Sequence, residues 1–238
     1  YIYGDENFNI LEVNNGAALR LNNIAYDVSC NTYDWTAGGI DIIAGNFTAL
    51  DLADNGLYGG FWLNPNSEIN LFNDSWVDLN GEIHNFGGTL NVSGTISDWP
   101  YSADAHIEMT SGVIDFKTCG ITIRDNAHSL TTNISGGTIR TAYNFTNQRS
   151  DIDLSDLTLE MYGPGGASVS LDPSSPISYL GINKADAKDD SPYMENEFIQ
   201  FRDGTKVPVT RDNSVTAASD LLILNDLNIE SGTFDLGS

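Results

Sequence analysis

Three histidines, His84, His106 and His128, are all the imidazoles in this chain, and they recur at intervals of 22 residues. Imidazoles at a constant interval become metal ligands or a titrating stack if the backbone repeats with that period. Two aromatic groups offer a different chemistry. Tyr58, Phe61 and Trp62 flank Gly59-Gly60, and Trp99-Pro100-Tyr101 lies in turn-forming sequence. Flat rings with polar handles, set in Gly-rich surroundings, are suited to stacking on sugar rings. A third group, Asp151, Asp153 and Asp156, offers spaced carboxylates to Ca²⁺, although it matches neither the EF-hand loop nor the Gly-rich nonapeptide.

Such groups do chemistry only if some element brings them together, and the alternation of the sequence names that element. Ile40-Asp41-Ile42, Ile69-Asn70-Leu71, Leu90-Asn91-Val92, Ile121-Thr122-Ile123 and Leu227-Asn228-Ile229 each send two apolar side chains to one face and a polar one to the other. That is the period of a half-buried strand. Glycines precede many short strands, as in Gly81-Glu-Ile-His, Gly112-Val-Ile-Asp and Gly137-Thr-Ile-Arg. Each suits a tight corner. Taking one glycine per coil, Gly16, Gly39, Gly60, Gly88, Gly112, Gly137 and Gly163 mark coils of 21–28 residues. Short strands, glycine corners and that period predict an all-β fold, a right-handed parallel β-helix.

The whole of 1–238 reads as a single β-helix. Residues 1–162 form regular coils, 163–215 coils with longer loop excursions around five of the seven prolines, and 216–238 a final coil whose pattern runs to the terminus. The expectation is that β-rich sequence continues beyond it in the native protein, and that an open C-terminal coil associates with other chains. The 25 Asn residues suit corners and inter-coil ladders. Cys30 and Cys119 fall four coils apart and are expected to remain unbonded. Ile107, Met109, Ile114, Phe116, Ile121 and Ile123 are expected to point inward.

Composition narrows the partners. With 33 acidic and 10 basic residues the formal net charge is -23, a field that repels phosphate backbones and anionic lipid. Nucleic acid is therefore excluded as a partner, and no apolar run is long enough for membrane insertion. Divalent cations, neutral glycans and basic proteins fit the charge. The glycine markers near the histidines are spaced by 24 and 25 residues, so the histidines drift by about two positions per coil. That drift argues against a vertical ladder of ligands.

The stretch Leu221-Leu-Ile-Leu-Asn-Asp-Leu-Asn-Ile-Glu-Ser-Gly-Thr-Phe-Asp-Leu-Gly, with Ser111-Gly-Val-Ile-Asp-Phe and Ser135-Gly-Gly-Thr-Ile-Arg, resembles the β-helix repeats of large secreted bacterial surface proteins of the pectin-lyase-like fold group. The resemblance implies adhesion, glycan contact or a surface coat, with polysaccharide cleavage in a minority branch. The Asn-Thr-Asp, His-Gly and Arg-Ile-Lys blocks of polygalacturonase-like members are missing, and only the pair Asp189-Asp190 is present. Arg202 and Arg211, near Asp203 and Asp212, match no lyase motif. The reading is a noncatalytic extracellular or cell-surface adhesion segment that contacts a glycan or cell-surface component. Its candidate contacts are Tyr58, Phe61, Trp62, Trp99 and Tyr101. No cofactor is expected, Ca²⁺ at Asp151, Asp153 and Asp156 being the alternative. A carbohydrate-active enzyme and a purely structural stalk are the competing readings.

Overall fold

The computed structural model describes residues 4–236 apart from 14–16, 36–38, 53–55, 58, 74–76, 95, 185–197, 201–205, 209–213 and 220. Every described element is a strand, and all but one antiparallel pair stack in parallel as a β-solenoid of about eight turns. Register partners lie from 19 to 25 residues apart through most of the chain, as for Asp27 and Asn46 or Glu108 and Asn133. One step is far longer, 47 residues from Gly181 to Asn228. It includes the antiparallel pair Phe198–Gln200 and Lys206–Pro208.

The long strands turn a corner within themselves. In Ala105–Phe116 the first half pairs with Leu130–Ile134 and the second with Thr138–Thr141, and its register against Gly81–Ser93 slips between Met109 and Val113. Gly112, with φ +85°, supplies the bend. One twelve-stranded sheet thereby furnishes two faces, and an eight-stranded sheet running from Gly56–Leu57 to Thr233–Asp235 furnishes the third.

Alternation turns every second residue inward, and register stacks the inward residues in columns. One column on the second face runs Val28, Phe47, Ile69, Leu90, Ile114, Ile139, Leu159 and Leu180, all buried. The six side chains from Ile107 to Ile123 expected to face inward are buried as well. Leu227 and Ile229 prolong two of these columns but are 45% and 46% exposed, because no described coil covers them. Residues Ile223–Ser231 thus continue the stack in parallel and do not fold back over it. Cys30 and Cys119 are buried and unbonded, and burial pushes their thiols up to about 11 and about 12.

Corners are closed by asparagine. Asn85 occupies an inward position between Leu63 and Met109 and is wholly buried. Its Oδ1 accepts from the backbone N–H groups of Gly87 and Gly88 at 3.1 and 2.9 Å, and its Nδ2 donates to the carbonyls of Gly88 and Val113 at 3.2 Å. The full complement of its bonds is met, as burial in an apolar column requires. At another corner Asn80 Oδ1 accepts from three successive N–H groups, those of Tyr101, Ser102 and Ala103.

Two substitutions test this account by urea unfolding. Phe116→Ala removes a wholly buried ring between Val92 and Thr141, with an expected loss of roughly 3–5 kcal/mol. Gly112→Ala sets a Cβ against Asn85 Oδ1 at positive φ, with an expected loss of at least about 1–2 kcal/mol. A neutral result for either would remove the register or the corner just described.

Candidate functional site

Outward positions stack in the same register as inward ones, so the exterior of each face is a set of polar columns. On the first face one column reads Arg20, Asp41, Trp62, His84, Glu108, Asn133. Arg20 pairs with Asp41 at 2.7 Å. The Trp62 ring lies over Gly60 and Gly39, where any Cβ would meet it, and stacks on His84 with centroids 5.0 Å apart and planes 6° from parallel. His84 Nδ1 is 2.8 Å from Glu108 Oε2, and Asn133 Nδ2 donates to Glu108 Oε1 at 3.3 Å.

The adjacent column places His106 opposite Glu82. Glu82-Ile83-His84 on one coil therefore meets His106-Ile107-Glu108 on the next, and carboxylate and imidazole alternate over four neighbouring positions. The two-position drift of the histidines, which rules out a vertical ladder, is what builds this alternation. His84 Nε2 lies 3.2 Å from Glu82 Oε2, His106 Nδ1 lies 2.7 Å from Thr131 Oγ1, and the two rings are 5.4 Å apart. His128 stands apart from them, 3.9 Å from Asp104.

On the second face an outward column reads Thr48, Asn70, Asn91, Asp115, Arg140, Glu160, Gly181, Asn228. Asn91 Nδ2 donates to Asn70 at 2.8 Å and to Glu68 at 2.9 Å. Arg140 stands between two acids, 3.5 Å from Asp115 and 2.9 Å from Glu160, with its guanidinium 4.6 Å over the Tyr162 ring. The Tyr162 hydroxyl donates to Asp115 at 2.6 Å. Burial and that acceptor both raise the phenol's pKa, so it stays a donor. At Gly181 the column has no side chain, and the gap is a groove of about 200 Å³. Tyr179, Asn183, Glu160, Asn228 and Glu230 line it. Asn183 and Asn228 donate to Glu230 at 3.0 and 3.3 Å.

The third face carries an unusual pair. Asp78 and Asp98 are register partners, and both are buried. Arg124 reaches Asp98 at 2.7 Å. Oδ1 of each Asp is buried with no hydrogen-bond partner among the described residues. Burial, then the neighbouring Asp98, pushes the Asp78 carboxyl up to about 6, against a smaller opposing pull from Arg124.

The residues singled out from sequence fare differently. Phe61 and Trp99 are each 1% exposed and pack into the core. They are therefore not surface contacts, a correction that follows from alternation, since Phe61 shares the inward column of Ile40 and Ile83. Trp62 is half-buried, with one ring face taken by His84. Tyr101 is 40% exposed on a corner. Tyr58 lies outside the described residues, as do Asp189, Asp190, Arg202 and Arg211.

Asp151 is engaged by Arg149 through two bonds of 2.8 and 2.6 Å, which hold its carboxyl below the usual range. Asp153 accepts from the Ser155 N–H at 2.9 Å, and Asp156 is exposed. The three are not gathered into a ligand set. The group that is gathered is His84, His106 and Glu108, whose ligand atoms lie within 4.8 Å of one another. The groove residues Tyr179, Gly181 and Asn183 alternate along a strand visible in sequence, but their meeting with Asn228 depends on the 47-residue step.

Compared with family models, with curated proteins and with solved structures, the chain matches none.

The Asp78 environment makes stability depend on pH. A carboxyl whose pKa rises on folding binds more protons folded than unfolded, so stability falls as pH climbs from the unfolded value near 4 through about 6. Asp78→Asn is expected to melt at higher temperature than the parent at pH 7.5, and the difference should close at pH 4. A gap that persists unchanged at pH 4 would show that the effect is steric.

Proposed function

We propose that this chain is a noncatalytic extracellular surface or adhesion segment whose second lateral face contacts neutral glycans through the groove at Gly181. The groove carries the proposal. It combines one aromatic wall, Tyr179, with carboxylate and carboxamide groups from three coils: Glu160, Asn183, Asn228 and Glu230. Sugar rings present an apolar face and a rim of hydroxyls, and an aromatic ring beside fixed acceptors and donors answers both. Glu160 is tied to Arg140, and Glu230 accepts from two amides. Both are held as acceptors for hydroxyl groups, an arrangement suited to retention more than to proton transfer. A net charge of -23 favours neutral chains over uronates or sulfated chains. The resemblance of the repeats to those of secreted bacterial surface proteins in the pectin-lyase-like group supports the same reading.

A glycan array with neutral and anionic members tests it, scored for both retention and release of unsaturated or reducing ends. Retention of neutral glycans without cleavage is expected. Gly181→Val should reduce it at least tenfold. The new side chain fills the groove, and its Cβ meets Tyr179 and Glu160 at 3.3 and 3.7 Å without a positive φ to strain it. Tyr179→Ala should weaken retention with an unchanged circular dichroism spectrum. Cleavage would favour a carbohydrate-active enzyme. No retention, or retention indifferent to Gly181→Val, would overturn the proposal.

A further inference from the structure

We infer that His84, His106 and Glu108 form a binding site for a divalent transition metal of the Zn²⁺ type, which clasps two successive coils on the first face. Their ligand atoms, two imidazole nitrogens and one carboxylate oxygen, already lie within 4.8 Å of one another. All three side chains are half-buried on a solvent-facing surface. Ligand atoms around tetrahedral zinc are about 3.3 Å apart, given bonds of about 2.0–2.1 Å. His84 and Glu108 are closer than this at 2.8 Å, so closing the site requires only small side-chain rotations, chiefly of the His106 ring.

The outer partners make this more than a chance cluster. A metal-binding imidazole holds its orientation by donating its other N–H to a fixed acceptor, and ligating carboxylates are themselves hydrogen-bonded. Here each ligand has such a partner. With Nδ1 of His84 toward Glu108, its Nε2 faces Glu82 at 3.2 Å. His106 has Thr131 at Nδ1, which leaves Nε2 for a metal. Glu108 has Asn133 on the second oxygen. Trp62, stacked flat on His84, fixes the plane of that ring. Two nitrogens and one oxygen select zinc, copper, nickel or cobalt over Ca²⁺ and Mg²⁺, which take oxygen donors. Three protein ligands leave a fourth position to solvent.

The site is independent of the groove at Gly181, so its test is independent too. EDTA-stripped protein is titrated with ZnCl₂ by calorimetry in buffer containing 1 mM CaCl₂, which occupies non-specific carboxylates. One saturable equivalent is expected, with a rise in melting temperature that grows with metal concentration. His84→Ala and His106→Ala should each weaken binding at least tenfold, and Asp151→Asn should leave it unchanged. Imidazole NMR signals of His84 and His106 should shift on addition of Zn²⁺ while those of His128 stay in place, a control within one folded chain. Co²⁺ in place of Zn²⁺ should give visible d–d bands that are lost in His84→Ala. The inference fails if binding is absent or non-stoichiometric, if both histidine variants bind as the parent does, or if His128 shifts along with the other two.

Discussion

An inward side chain in this fold is buried only because the coils before and after it hold side chains at the same position. Among the described residues the column from Val28 to Leu180 packs within a single core formed by the faces of the same solenoid. Register is thus the constraint on which everything else rests, since a slip of one residue would turn each apolar column to solvent. Full burial of one such side chain contributes about 1.5–3 kcal/mol, and the sum over the columns leaves little tolerance for a coil out of step. Where the stack meets no described neighbour, at Leu227 and Ile229, the same residue pattern stays half exposed.

The register that protects the core also dictates the exterior. Outward side chains are stacked whether or not their chemistry agrees, and the chain resolves this in several ways. Asp115, Arg140 and Glu160 alternate in sign along one column. Glu82, His84, His106 and Glu108 alternate acid and base over two coils. Asn91 and Asn70 stack as neutral amides. Asp78 and Asp98 are the exception, two buried carboxylates in direct register with a single Arg shared toward one of them. A chain with net charge -23 has few cations to distribute, and Arg140 stands where its column would otherwise bring Asp115 and Glu160 together.

Corners are the third part of the account. Glycines at positive φ turn the strand, buried Asn85 satisfies both N–H and carbonyl groups at such a turn, and Asn80 accepts from the N–H groups of another corner. At the edge of the long excursion Lys184 does related work, its buried ammonium donating to the carbonyls of Ala142 and Tyr162 at 2.6 and 2.9 Å. Burial lowers its pKa to about 8. Polar groups inside the stack thus serve the backbone, and the groups free for other chemistry lie on the outward columns.

Sequence by itself determined the class of fold, because alternation, corner glycines and a period in the low twenties are local properties that survive without any knowledge of contacts. It determined the inward set from Ile107 to Ile123 for the same reason, and the separation of Cys30 from Cys119. Which outward residues meet was decided only by the tertiary structure. Phe61 and Trp62 are adjacent in sequence, yet one is core and the other surface, and a cluster of aromatic residues does not reveal that parity. A two-residue difference in coil length is enough to move His106 from beside His84 to beside Glu82. The groove at Gly181 joins strands 47 residues apart across an excursion whose length no period announces. Short-range alternation is written in each strand, whereas cross-coil chemistry depends on the summed length of every turn between, and that sum is fixed only when the coils stack.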